Sequence, residues 1–459
     1  MIFAQVIKDF IQELEFIFST SKRGVKDVLL AIAPHAIQLV TGLVASILIA
    51  RGLGAAGMGE YTLAMTIAGL TISLSDLGIG QTAIRYASRA LSSSDEKGFL
   101  SVLRWAFRWR LLLVFALAII LLGLSRWIAE EFWHLERLTF LVRLGIASGI
   151  IGSLASIPSA YFQSRKEFER NSTVLITQTI ISFSGIVLLA LLSYWSVQAV
   201  LLVGIIGGGI GTGIFMASVP SSSLFSKDDA RQGGFLSMLR SPSIGKSKDV
   251  VDTIEPEAFA LYFLASTILA IIILRVDVTL MGYFLPQEEI GQYAVATRFA
   301  LPLAMILASI NTALWPRASS AATLEAKKAL LKKTLTMTGA LSIPVIGYSI
   351  VVPLLAPYLF GMAYEKSTFI GQLLCARFVL AMFASPMGAI GYSFGLVRFF
   401  WIINLIQLVC VILLNILLLP RIGAVGGAVA LILNELVSLV MVGYMVWRKL
   451  KVLSTASDQ

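Results

Sequence analysis

The chain is a series of apolar runs, each about the length of one membrane crossing, separated by polar segments. The runs fall at 28–50, 62–84, 111–128, 138–160, 173–193, 197–217, 258–284, 290–314, 334–354, 368–392, 399–419 and 424–447. A helix needs about 20 apolar residues to cross the hydrocarbon of a bilayer. None of the runs alternates as a transmembrane β-strand does. The pattern therefore predicts an all-α membrane protein with about twelve transmembrane helices. Ahead of the first run, Phe3, Val6, Ile7, Phe10, Ile11, Leu14, Ile17 and Phe18 recur at helical spacing, with Lys8, Asp9, Gln12 and Glu13 opposite them. Residues 1–25 are thus expected to form an amphipathic helix on the membrane surface rather than a cleavable signal peptide.

Composition agrees with this reading. Of 459 residues, 57% are hydrophobic and only 14% charged, with a mean hydropathy of +0.86. A soluble protein of this length needs far more polar surface. The net charge of +10 does not point to nucleic acid, because the basic residues sit between apolar runs on alternate sides. One set of segments holds Lys22, Arg23 and Lys26, then Arg85, Arg89, Lys97, Arg104, Arg108 and Arg110, then Arg165, Lys166 and Arg170. It continues with the Lys227–Lys248 stretch, Lys327, Lys328, Lys332 and Lys333, and finally Arg448, Lys449 and Lys451. The other set keeps only Arg51, Arg126, Arg137, Arg143, Lys366 and Arg421. The positive-inside rule then predicts a multi-pass protein of the cytoplasmic (inner) membrane, with both termini in the cytoplasm. Cys375 and Cys410 lie in apolar runs, and His35 and His134 are the only histidines, so neither a disulfide framework nor a metal site is expected. No cofactor motif or ATP-binding motif is found. The run "GGGIGTG" at 207–213 has no preceding strand and no P-loop lysine, and reads as helix packing.

Residues 218–257 are rich in Ser, Gly, Pro and mixed charge, and are expected to be a cytoplasmic linker. They divide the chain into an N-lobe, 26–217, and a C-lobe, 258–459, of six helices each. The halves resemble each other. Leu53, Gly59 and Tyr61 in "LGAAGMGEY" return as Leu285, Gly291 and Tyr293 in "LPQEEIGQY", and Pro158 is echoed by Pro386. An even number of spans per half makes this a parallel repeat, which sets a substrate path between two pseudo-symmetric lobes.

At these residues the chain resembles a known family. "ILIARGLGAAGMGEYTLA", "LSDLGIGQTAIRYASR", "IGQYAVATRFALPLAMILASINTALWPRAS" and "PRIGAVGGAVALILNE" are similar to the oligosaccharide-lipid flippases. These form the Wzx-like polysaccharide transporter family of the multidrug/oligosaccharidyl-lipid/polysaccharide exporter superfamily. The resemblance implies a MATE-like architecture, with the lobes around a central cavity that opens to each side in turn. It also implies a cargo of undecaprenyl-pyrophosphate-linked oligosaccharide, moved to the outer leaflet for surface polysaccharide biosynthesis. A polysaccharide polymerase or another assembly protein would be a partner beside membrane lipids.

Charges inside spans are the candidate site. Arg275, Arg298 and Arg377 each lie about nine residues from the outer end of a helix, hence at similar depth. Arginine at mid-bilayer is costly unless it meets water or a partner. One reading makes them a cationic wall that binds a pyrophosphate by bidentate hydrogen bonds. The other pairs them with Asp277, Glu435 or helix-end carbonyls. Arg51, at the end of the first span, either contacts the cargo or snorkels to headgroups. Glu435, Asp76 and Asp277 are candidates for ion coupling, although Asp76 also suits a structural role with Ser73, Ser75 or Arg85. Two alternatives to the flippase stand. A drug/cation antiporter of the same superfamily would favour acidic or aromatic pockets. A glycan polymerase or ligase usually needs a large outer loop, and the outer loops here are short, so enzymatic activity is not expected.

Overall fold

The computed structural model describes residues 22–220, 256–321 and 323–457. The expected surface helix at 1–25 and the linker at 218–257 fall largely outside these residues. Every regular element described is helical. In chain order they are α1 (Lys22–Asp76), α2 (Ile79–Ser92), α3 (Glu96–Arg126), a π-helical turn (Trp127–Phe132), α4 (Leu138–Leu154), α5 (Ser156–Ser164), α6 (Phe168–Leu191) and α7 (Val197–Ala217). Then follow α8 (Pro256–Phe284), α9 (Gln287–Ser320), α10 (Leu324–Val351), α11 (Ala356–Phe360), α12 (Ser367–Ser393), α13 (Val397–Ile422) and α14 (Ala424–Ser457), with 3-10 turns on either side of α11.

Eleven described helical stretches are long and apolar enough to cross a membrane. The first, Ala36–Ser92, has 57 residues, about 85 Å at 1.5 Å per residue and far more than one ~30 Å crossing. It contains a break. Gly54 has φ 69° and ψ −179°, a conformation that only glycine adopts without strain. The stretch thus supplies two crossings, which brings eleven stretches to the expected twelve. The polar gap at 51–61 is therefore a helical corner rather than a loop. Helix α1 ends at Asp76, where Leu77 and Gly78 both take positive φ and turn the chain into α2. The second crossing is accordingly shorter than the apolar run 62–84, and Ile79–Ser92 is a separate amphipathic helix. Helix α3 begins at Glu96, well before the expected 111, because Asp95 caps it by accepting from Gly98 N at 2.8 Å. Ser196 and Thr323 cap α7 and α10 in the same way, at 3.1 and 3.2 Å.

The described chain forms two compact units. In one, formed from the described parts of Glu15–Leu53 and Leu63–Thr253, α2 packs on α3 and α5, α4 on α3 and α7, and α6 on α7. Its core joins Phe99, Phe107, Tyr161, Phe162 and Phe215. The other comprises Gly54–Thr62 and the described part of Ile254–Gln459. There α12 is central, packed on α9, α10 and α14, while α13 packs on α8 and α14. Large apolar side chains remain exposed along the helices of both, including Phe115, Leu191, Leu274, Ile343 and Leu413. Such faces suit a lipid surrounding.

The second unit carries a close approach between the two copies of the repeated motif. A Cβ on Gly59 would run into the carbonyl oxygen of Gln287, and a Cβ on Gly291 into that of Ala55. Gly59 and Gly291 are 232 positions apart, as are Ala55 and Gln287, so the contact is reciprocal. Gly54 and Pro286, the two chain breaks, are also matched at that spacing.

Candidate functional site

One set of bonds in the second unit levels several helix ends. Glu289, in the first turn of α9, accepts from Lys366 Nζ at 2.9 Å and from Ala424 N at 3.1 Å. Gln292 receives Ser367 N at 3.0 Å and donates to Ala363 O. These contacts hold the starts of α9, α12 and α14 together. Lys366 lies outside the spans, and its bond to Glu289 raises its pKa above the ordinary lysine value. Counted from the same side, Arg275 is nine residues from the end of α8, Arg298 eleven from the start of α9, and Arg377 ten from the start of α12. At 1.5 Å per residue each lies about 14–17 Å in, half of a ~30 Å hydrocarbon layer.

Between that level and the helix ends, Tyr293 on α9 donates its hydroxyl to Asp277 Oδ2 on α8 at 2.5 Å. Asp277 is buried, and its Oδ1 has no hydrogen-bond partner. The charge of Arg377 reaches Asp277 and Tyr293, and that of Arg275 reaches Asp277. Arg377 also acts on Glu435 of α14. Asn415 on α13 donates to Val411 O at 2.7 Å, leaving its buried Oδ1 unpartnered. The same is true of Asn434 Oδ1 beside Glu435. Gly427 admits both sides of this cluster: a Cβ there would sit 3.6 Å from Asn415 Oδ1 and from Tyr293 Cε2. Five helices thus bring two carboxyls, two arginines and unsatisfied amide oxygens into one region. Buried polar atoms without partners are uncommon, and they mark where a proton, ion, water or ligand group is accommodated.

Arg298 stands apart from that group. Its charge interacts with Tyr61, from the Gly54–Thr62 segment, and its Nε is buried without a partner. Among the described residues, none of Arg275, Arg298 and Arg377 forms a salt bridge. Arg377 Nε is likewise unpartnered, and its guanidinium lies 5.2 Å from the Phe378 ring centroid. Donors of this kind are suited to an anion with several acceptor oxygens.

The first unit holds the other candidates. Asp76 does not pair with Arg85. Its Oδ1 meets Arg110 Nη1 at 2.8 Å, with side-chain exposures of 35% and 3% for Asp76 and Arg110, and also accepts from Gly80 N at 3.3 Å. Arg110 Nε donates to Ser156 Oγ at 3.1 Å, and Ser75 and Ser153 join hydroxyls alongside. Arg110 is one residue before the apolar run starting at Leu111, so the sequence reads it as a loop charge. The early cap on α3 draws it into the helix and the interior. Arg51 is exposed on α1 and is not without a partner.

Several polar positions are helix-to-helix fasteners. Asn404 Nδ2 donates to Ser266 Oγ at 2.7 Å, and Ser385 bonds Asn311. Asn171, the head of a sequon, is buried and accepts from Ser159 Oγ at 3.1 Å. The glycines of 207–213 lie in α7, where Gly207 abuts Ser182 and Gly211 abuts Gln178 of α6. No cluster of metal ligands occurs among the described residues.

Long apolar helices in this arrangement mark a polytopic membrane protein, and solved structures of transporters share its fold. An inward-facing MATE multidrug resistance transporter of the MOP superfamily aligns over 92% of this chain and 96% of its own, with TM-score 0.66 and 13% identity. The lipid II flippase MurJ, in an inward closed conformation, aligns over 91% and 87%, with TM-score 0.67 and 15% identity. A MOP superfamily transporter from Pyrococcus furiosus, described as having a binding pocket of reverse polarity, aligns over 93% and 95%, with TM-score 0.57 and 14% identity. No curated protein matches by sequence. The family is nonetheless explicit. Residues 25–322 match the polysaccharide biosynthesis protein family, and the chain belongs to it.

Proposed function

We propose that the protein is a flippase that carries an undecaprenyl-pyrophosphate-linked oligosaccharide from the inner to the outer leaflet of the cytoplasmic membrane. Both termini are cytoplasmic in this reading, and two six-helix lobes alternate access to a central cavity. The observation that carries it is the set of mid-depth arginines without salt bridges, Arg275, Arg298 and Arg377, two of which keep an unpartnered buried Nε, in a chain of the polysaccharide biosynthesis family. A pyrophosphate supplies the several negative oxygens that forked guanidinium donors match. Arg51 is assigned to contact with the cargo on release. Asp277 and Glu435, within reach of Arg377, are assigned to ion coupling: a carboxyl that gains or loses a proton or cation changes how strongly Arg377 holds an anion. Asp76 serves the same end through Arg110. A polysaccharide polymerase or other assembly protein would receive the product.

The test is leaflet transfer of a fluorescent undecaprenyl-pyrophosphate glycan in liposomes. Wild type is expected to move it, and the Arg275/Arg298/Arg377→Ala variant to lose at least tenfold in rate while unfolding at a similar temperature. Transfer by both overturns the arginine site alone. Failure of correctly inserted wild type under proton and sodium gradients overturns the flippase, and drug extrusion by the same liposomes would favour the antiporter.

A further inference from the structure

The internal repeat sets one long element beside its own copy. Residues 55–92 of the first half correspond, 232 positions on, to residues 287–324 of the second. In the second half this stretch is the single helix α9, Gln287–Ser320, none of whose residues has a positive φ. In the first half it is broken. Helix α1 ends at Asp76, Leu77 and Gly78 take φ of 41° and 82°, and α2 starts at Ile79. The counterparts of Leu77 and Gly78, Ser309 and Ile310, lie inside α9, where Ser309 Oγ bonds back to Met305 O at 2.9 Å. Both stretches lead into the next long helix through three residues, 93–95 and 321–323. The same short connection thus serves a straight helix and a broken one.

A leucine in the left-handed region is costly, so something must hold it there. The holding group is Asp76. In a continuous helix Gly80 N would donate to the backbone carbonyl of residue 76. Across the break it donates to the Asp76 side chain instead, at 3.3 Å from Oδ1. The same oxygen meets Arg110 Nη1 of α3 at 2.8 Å, and Arg110 Nε donates to Ser156 Oγ of α5 at 3.1 Å. One carboxylate therefore replaces a backbone acceptor and ties the break to two neighbouring helices. The second half has Ala308 in place of Asp76 and Ile310 in place of Gly78. It lacks both the substitute acceptor and the permissive glycine.

We propose that residues 55–92 form a two-state element, bent at Leu77–Gly78 in this structure and able to straighten into one helix as α9 does, with Asp76 as the pin of the bent state. Its role in transport rests on the flippase reading above: the cycle passes through both forms. Straightening exchanges the bond from Gly80 N to the Asp76 side chain for a backbone bond between the same two residues, so no donor is stranded. It also releases Leu77 from the left-handed region. Against this, the bent form holds the Asp76–Arg110 contact. Few groups set the balance, which is the condition for a switch between discrete packings.

The test measures the distance between spin labels on Ile72→Cys and Ser92→Cys, both exposed positions, in liposomes, with Cys375 and Cys410 replaced by alanine. A continuous helix sets these positions about 30 Å apart, and the break brings them closer. Wild type should show mainly the shorter distance, with a minor population near the longer one. Gly78→Ala adds a Cβ that meets nothing within 4 Å, so it acts through the backbone alone. It should raise the ratio of straight to bent about tenfold, and Leu77→Gly should lower it by a similar factor. One short distance, unchanged between wild type and Gly78→Ala, overturns the proposal. Both variants should also slow leaflet transfer of the fluorescent undecaprenyl-pyrophosphate glycan about threefold or more, because a carrier held in either state turns over slowly. Wild-type rates despite shifted distances overturn the role in transport. Failure of wild type to move the glycan, with distances that shift as expected, overturns the flippase and leaves the two-state element in place.

Discussion

Asp277 and Arg110 show how differently two buried charges can be held. Asp277 has one neutral hydrogen bond, from Tyr293, and a second oxygen with no partner. Tyr293→Phe would leave the carboxyl with neither, at a cost of about 1–3 kcal/mol in unfolding free energy, read by denaturation in detergent. Arg110 is nearly sealed from solvent, whereas its partner Asp76 is about one-third exposed. Removing either partner therefore has unequal consequences. Asp76→Asn strands a buried guanidinium and should cost about 3–5 kcal/mol. Arg110→Met leaves a carboxylate that water still reaches, and should cost less than half as much. Equal losses in the two variants would show that burial does not set the asymmetry. The three arginines were legible in the sequence because each interrupts an apolar run. Asp277 and Glu435 were legible too, but Tyr293 and Tyr61, which act on Asp277 and Arg298, stood out only as repeated positions, and Arg110, which holds Asp76, only as the edge of a loop.

Among elements, the reciprocal crossing of Gly59 and Gly291 is the most constrained contact. Both positions face backbone carbonyls, which cannot rotate aside as a side chain does. Gly59→Val and Gly291→Val should each lower stability by about 1–3 kcal/mol. Because they press on one contact, the double variant should cost less than the sum. Gly42→Ala and Gly339→Ala, with no atom within 4 Å of the added Cβ, are the controls and should change little. Helix number was readable from apolar run length, yet several boundaries moved for local reasons. Asp95 starts α3 early, Leu77 and Gly78 end α1 early, and Gly54 makes a corner where polarity suggested a loop. Hydropathy averages over a window, while caps and positive-φ residues act at single positions.

For the molecule as a whole, orientation is open to direct test. With Cys375 and Cys410 replaced by alanine, single cysteines at exposed Met362 and Ser94 should label from opposite sides. In intact cells an impermeant maleimide should reach Met362→Cys, and should reach Ser94→Cys only after the membrane is opened. The reverse pattern would put the termini outside. Membrane residence, all-helical class, helix number and the two-fold internal repeat followed from the sequence alone, because the bilayer punishes polar backbone and charge so heavily that apolar runs of about 20 residues have few other fates. Tertiary structure decided the rest. Which carboxyl meets which arginine and which glycine admits which carbonyl depend on helices far apart in the chain coming within a few ångströms. At that range a single Cβ or one cap residue outweighs any average over the sequence.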